Sequence, residues 1–267
     1  NQLTLGYGDE VIGGGQGAAA LQASRPADIV EEELTRFLEG FPRRYLALYG
    51  PDQIYRHTRL ARDIHPGEVH TFLEHKGDTW NLTVASLDRP LLFSSISGVL
   101  SYCGMSILRG FAMTSDADLV LDAFQFTDAE GFLRLNENAP QRLEALLQDV
   151  VAGREDVSVM LGRKERGVQG RRRPRRVAPV VYVDNEYSQR YTVLEVVTED
   201  ALGLLNRVSR LISEHGCDVD LVLISTEGNK AIDVFHLTTA SAKLTESAQM
   251  GLKADLEKML EEGYETD

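Results

Sequence analysis

This chain repeats itself, and the repeat limits what it can fold into. The stretch from Leu87 to Gly104, "LDRPLLFSSISGVLSYCG", returns 112 residues later: Asp88 falls on Asp200, Leu92 on Leu204, Ile96 on Val208, Leu100 on Ile212 and Gly104 on Gly216. One residue is lost in a later turn, after which Asp122 and Phe124 fall on Asp233 and Phe235. A register kept over a whole supersecondary unit means two copies of one domain. The length of 267 residues agrees, being long for a single hydrophobic core.

Each copy reads as an alternation of strands and helices. In the first, "VHTFLEH", a KGD turn and "TWNLTVAS" make a hairpin. Leu92, Phe93, Ile96, Val99, Leu100 and Cys103 then recur at steps of three and four, so a helix lies with one apolar face on a sheet. Two strands follow, "MSILRGFAMT" and "LVLDAFQFT", then a helix at "APQRLEALLQDVVAG" and a brief strand at "VSVML". The order strand, helix, strand, strand, helix, strand predicts an α+β fold of two ferredoxin-like βαββαβ units. The second copy closes with a helix whose Leu252, Leu256 and Met259 share a face.

The flanks differ in composition. Residues 1–25 are rich in glycine without the GK[ST] ending of a phosphate loop, and read as a flexible segment. Residues 26–66 form a short helical connector, with Ser24 as cap and Pro26 in the first turn of one helix and Pro51 opening another. The first domain is assigned to 67–161, a linker to 162–178 and the second domain to 179–267. Arg163, Lys164, Arg166, Arg171, Arg172, Arg173, Arg175 and Arg176 face a single Glu165 in that linker, a solvated loop or an electrostatic dock for an acidic partner.

Several functions are excluded or disfavoured. A net charge of −13 argues against a general nucleic-acid binder, which needs a basic face. No apolar run is long enough for a membrane helix and no signal peptide opens the chain, so a cytoplasmic protein is expected. Because the chain begins at Asn1 rather than Met, it reads as a candidate fragment of a longer protein. Cys103 and Cys217 form neither a disulfide framework nor a zinc pattern. His65, His70 and His75, five apart, do not converge on a metal; His215 sits at a helix end and His236 in a strand. No HExxH, HxxEH or GxSxG motif is present, so no catalytic residue is assigned. Asp122 and Asp233 occupy equivalent strand positions, as paired acids would, but are expected at a solvated or hairpin-facing edge.

The turn opening each long helix carries more information. Asp88 is placed to cap one helix with Pro90 in its first turn; Asp200 caps the other, and Gly203 leaves its backbone uncovered. Free N–H groups at a helix start suit a carboxylate, so these turns suit binding rather than bond-making, but capped βα turns recur throughout α/β folds and mostly bind nothing, and the turn alone favours that plainer role.

With those residues in view, "LDRPLLFSSISGVLSYCGMSILRGFAMTSDADLVLDAFQF" and "EDALGLLNRVSRLISEHGCDVDLVLISTEGNKAIDVFHLT" resemble ACT domains, in which an acidic residue and a proline and glycine turn precede the first helix. The tandem, with "FLEGFPRRYLALYGPDQIYRHTRL" ahead of it, resembles the C-terminal region of the bifunctional uridylyltransferase/uridylyl-removing enzymes that act on the PII protein. That family joins a nucleotidyltransferase domain and an HD phosphohydrolase domain, which use UTP and a divalent metal, to two ACT domains that sense glutamine. The resemblance implies that this chain is the sensor, with no cofactor of its own. It implies an amino acid ligand, glutamine first, held by Asp88, Arg89, Pro90, Leu91 and Leu92 with Ser106 and Ile107, and by Asp200, Ala201, Leu202, Gly203 and Leu204 with Asp218 and Val219. The PII protein, the family's catalytic domains or a second copy are the implied partners. The first copy departs from the motif with Leu91 in place of glycine; the second has Ala201 and Leu202 in place of a basic residue and proline. The alternative is an ACT pair that binds no ligand and serves protein interaction or dimerisation.

Overall fold

A computed structural model describes residues 20–41, 44–167, 177–227 and 229–265. The first half contains β1 (Val69–Lys76), β2 (Thr79–Leu87), α4 (Leu92–Tyr102), β3 (Ser106–Thr114), β4 (Leu119–Thr127), a short α5 (Phe132–Leu135) and α6 (Ala139–Val151). The second half contains β5 (Val180–Asp184), β6 (Thr192–Glu199), α8 (Leu204–Glu214), β7 (Asp218–Glu227), β8 (Lys230–Thr238) and α9 (Glu246–Glu265). The fold is α+β, and the plan is consistent with two ferredoxin-like units.

The strand order corrects the sequence reading. The edge place beside β2, which the fourth strand of a βαββαβ unit would fill, is taken by β1, paired antiparallel from Val69↔Ser86 to Lys76↔Thr79. A tight turn through Gly77, with φ of 61°, makes that pairing local. Each half therefore runs ββαββα, and "VSVML" has no strand position left. It starts α7 (Val157–Gly167), where Val157, Met160 and Leu161 bury themselves at helical spacing. Helix also extends over 162–167, which the sequence assigned to the linker; residues 168–176, with five of its arginines, lie outside the described residues.

The halves share one sheet in the order β1-β2-β4-β3-β7-β8-β6-β5. They join where β3 and β7 pair antiparallel through Arg109↔Leu223, Gly110↔Val222 and Phe111↔Leu221. Gly110 and Val222 are themselves equivalent under the 112-residue offset, so a pseudo-twofold axis passes through this pair. A side chain on Gly110 would meet Phe93 Cζ at 2.8 Å, which is why the seam has a glycine there. On the helix side, α4 packs against α8, and Asn206 Nδ2 donates to the carbonyl of its own equivalent, Ser94, at 2.6 Å. Gly98 makes room for this contact: a β-carbon there would lie 2.6 Å from Val157 Cγ2 and 2.9 Å from Asn206 Nδ2.

One core, including Phe124, Phe126, Ile96, Leu100, Phe235 and Val208, lies between the sheet and these helices. A second covers the other face of the first half, where α1 (Glu31–Gly40), α2 (Arg44–Leu48) and α3 (Pro51–Leu60) set Phe37, Tyr45 and Ile54 against Ala85, Met113 and Leu121. The connector is therefore a packed layer. Leu21 is buried in it, although the sequence reading placed it in the flexible segment. Residues 1–19 of that segment lie outside the described residues. Ser24 does not cap α1; its hydroxyl bonds the Ala20 carbonyl and the Tyr55 hydroxyl. Tyr45 Oη and His57 Nδ1, both buried, meet at 2.7 Å. Burial holds His57 down to about 4, so the ring is neutral near pH 7.

Candidate functional site

The two turns before α4 and α8 are built alike, hydrogen bond for hydrogen bond. Asp88 N donates to Asp118 O at 2.7 Å and Asp200 N to Asn229 O at 2.8 Å, extending the sheet one step past β2 and β6. Leu92 N then bonds Arg89 O, and Leu204 N bonds Ala201 O. The residue before each helix is left-handed: Leu91 at φ 65°, ψ 18° and Gly203 at φ 70°, ψ 15°. These two are the N-caps, and neither offers a capping side chain. The expected caps Asp88 and Asp200 stand three residues upstream with exposed carboxylates, and Pro90 precedes the helix. A left-handed leucine costs roughly 1–2 kcal/mol that a glycine avoids. The first copy keeps the backbone shape despite that cost.

The other predicted residues fall as follows. Arg89 is half-buried and Pro90 exposed; Leu92 and Leu204 are buried in the core. Ser106 is exposed at the start of β3, and the side chain of Ile107 is buried. Ala201 and Leu202 are half-buried, Asp218 is exposed at the start of β7, and Val219 is half-buried. The antiparallel seam crosses these groups over. It sets the start of β7 beside the end of β3, and so beside the turn of the first half. Burial, Asp220 and the Asp88 carboxylate of the opposite half together raise the pKa of Asp218. By the same pseudo-symmetry, the turn at Asp200 belongs with the start of β3. Each predicted loop thus meets a strand of the other copy, a partnership that the sequence did not supply.

The space over Gly203 is taken. A β-carbon there would lie 2.9 Å from Leu161 Cδ1, because α7 crosses the helix seam with Val157 on Gly98 and Leu161 on Gly203. Lys164 fastens this helix by bonding the Tyr102 carbonyl at 3.0 Å and Glu130 at 2.7 Å. Sequence reasoning missed α7 as part of the site because "VSVML" alternates like a strand.

It also misplaced two acids. Asp122 is 1% exposed and Asp233 2% exposed, not at a solvated edge. Asp122 shares a strand face with Val120, Phe124 and Phe126 in the helix-covered core; Asp233 shares one with Ala231, Phe235 and Leu237. Neither Asp122 oxygen has a hydrogen-bond partner, and Asp233 Oδ1 and the nearby Thr198 Oγ1 also lack one. Burial, with repulsion from Asp88, pushes Asp122 well above the carboxylate range. Burial, with repulsion from Asp200, pushes Asp233 up to about 7. Cys103, buried, is pushed up to about 12, so its thiol is not a nucleophile near neutral pH. Among the described residues no cluster of three or more His, Cys, Asp or Glu side chains is arranged to hold a metal ion.

A bifunctional uridylyltransferase/uridylyl-removing enzyme of Gluconobacter oxydans is 32% identical over 213 residues, covering 78% of this chain and 22% of that protein. Enzymes of the same name from Rhodospirillum rubrum and Azospirillum brasilense are 27% and 28% identical, covering 88% and 86% of this chain and 28% and 26% of theirs. The chain is a relative of the C-terminal portion of these bifunctional uridylyltransferase/uridylyl-removing enzymes. It spans about a quarter of their length. No protein-family model matches it. The aligned 213 residues are long enough to include both halves of the sheet, so the relationship concerns the tandem rather than one unit. No helix among the described residues is long and apolar enough to cross a membrane.

Proposed function

We propose that the chain is an amino-acid-sensing regulatory module, a tandem of two ACT units whose ligand is glutamine, within a cytoplasmic uridylyltransferase/uridylyl-removing-like protein that controls nitrogen metabolism through PII. The observation that carries this reading is the crossed arrangement of the turns. Each left-handed turn, with its helix start, meets the first residues of a strand from the other unit, so a small ligand seated there touches both units. Such a ligand shifts the arrangement of the units to the extent that it prefers one arrangement over another. In this reading nucleotidyl transfer, UTP and the divalent metal belong to the part of such a protein that this chain does not represent. Titration calorimetry with glutamine tests the proposal. Heat of binding is expected, together with weaker binding by Gly203→Val, and absence of heat at millimolar glutamine sinks the ligand.

A second reading, a ligand-free pair used for protein interaction or dimerisation, is favoured by two observations. Leu91 replaces glycine in one turn, and Leu161 covers Gly203 in the other. It predicts that the chain self-associates or binds PII equally well with and without glutamine, as measured by sedimentation.

A further inference from the structure

Asp122, with both oxygens unpartnered, and Asp233, with Oδ1 unpartnered, stand out because they incur a penalty of the same kind at the same place in both copies. A carboxyl group buried without partners is unfavourable whether ionised or protonated, since even the neutral acid leaves a donor and an acceptor unmet. An apolar residue would remove that penalty from an otherwise apolar face. Both positions instead keep an acid, in the middle of a sheet, across from Val84 and Ala112 in one case and from Val196 and Ile224 in the other. Each is paired with a residue three positions before the end of the strand that leads into the turn, Val84 of β2 and Val196 of β6, and that turn supplies a second carboxylate on the same end of the sheet. Asp88 is near enough to Asp122 to repel its charge, and Asp200 does the same to Asp233.

We propose that Asp88 with Asp122, and Asp200 with Asp233, are seats for the ammonium group of a ligand. The buried oxygens accept its N–H groups and the exposed carboxylate supplies the balancing charge. This rests on the reading that the turns bind an amino acid, and it adds the group that recognises the amino end. An ammonium ion suits the arrangement because it carries one positive charge and several donors to a pair of acids, of which the inner one has unpartnered oxygen. A divalent metal is not favoured, since among the described residues no group of three or more His, Cys, Asp or Glu side chains is arranged to hold one. Thr198 Oγ1, unpartnered on the same face as Asp233, is a further acceptor for the second seat. Asp218, from the opposite half, adds a third carboxylate near the first seat, where the equivalent residue of the second is Ser106.

Two measurements on the whole chain separate this inference from the function it rests on. The first is carbon NMR of aspartate-labelled protein titrated with methylammonium chloride, using sodium chloride as control and Asp122→Asn and Asp233→Asn to assign the resonances. Saturable shifts of the two buried carboxyls with methylammonium alone are expected; no shift at either overturns the seats, whether or not glutamine binds. The second is calorimetry with glutamine and with glutaramic acid, the same molecule without its amino group. Tenfold or greater preference for glutamine, abolished in the double asparagine variant, supports the seats. Equal affinity for both compounds overturns the seats and leaves the amino-acid reading intact. Failure of glutamine to bind while methylammonium still shifts the carboxyls upholds the seats and removes glutamine as the ligand.

Discussion

Leu161 of α7 lies against Gly203, its Cδ1 2.9 Å from where a β-carbon would stand. The glycine that opens the second turn is thus closed by a side chain from the helix that follows the first half. Leu161→Ala is expected to destabilise the chain by about 2–5 kcal/mol, the usual range for truncating a buried leucine. If the second turn seats glutamine as proposed, the same change is expected to tighten that binding. Urea unfolding and calorimetry on one preparation read the two opposite effects.

The two left-handed positions should respond unequally. Gly203→Ala forces a β-carbon into a left-handed backbone and into Leu161, and is expected to cost roughly 1–3 kcal/mol. Leu91→Gly relieves a strain of roughly 1–2 kcal/mol while giving up the partial burial of one leucine, and should leave the midpoint of thermal unfolding nearly unchanged. A large loss of stability from Leu91→Gly would show that the side chain, not the backbone, matters there.

Gly98 offers a test of the helix seam. In an isolated helix, alanine is favoured over glycine by about 1 kcal/mol. Here the added carbon would stand 2.6 Å from Val157 Cγ2 and 2.9 Å from Asn206 Nδ2, which holds the Ser94 carbonyl. Gly98→Ala is therefore expected to destabilise the chain in denaturant titration, reversing the sign set by helix propensity.

The buried acid Asp233 makes stability depend on pH. Its pKa rises from 3.8 in the unfolded chain to about 7 when folded, so between those values the folded state binds more protons. Its contribution to stability therefore falls as pH rises from about 4 to about 7, and is level beyond. Relative to the wild type, Asp233→Asn should gain stability over that interval, with the largest gain above pH 7. Unfolding free energies of the two proteins measured from pH 4 to pH 8 give the difference directly.

The repeat offset made both helices, both turns and four of the inner strands legible, because each signal appeared twice in register. The hairpin of β1 with β2 was legible as well, through its KGD turn, but not its consequence: β1 fills the edge place given to "VSVML", whose alternation alone could not show that no strand position was left for it. The connector read as amphipathic, but the pattern does not say what its apolar side covers, and only the fold brings Phe37 and Tyr45 to Met113 and Leu121. Within the candidate site, the left-handed turn of Gly203 was visible in the residue type, whereas the same shape at Leu91 was hidden by a side chain that rarely adopts it. The burial of Asp122 and Asp233 was invisible because an aspartate in a strand usually faces water, and their neighbours alone gave no reason to override that.

The pairing of Gly110 with Val222 has a mechanical consequence. Because the axis runs through that pair, the two turns sit at opposite ends of the joint between β3 and β7, like fasteners at the top and bottom of a door. A molecule seated at one end braces only that end and leaves the other free to pivot, whereas two seated together lock the panel. Graded occupancy of such a joint would give three stiffnesses, not two.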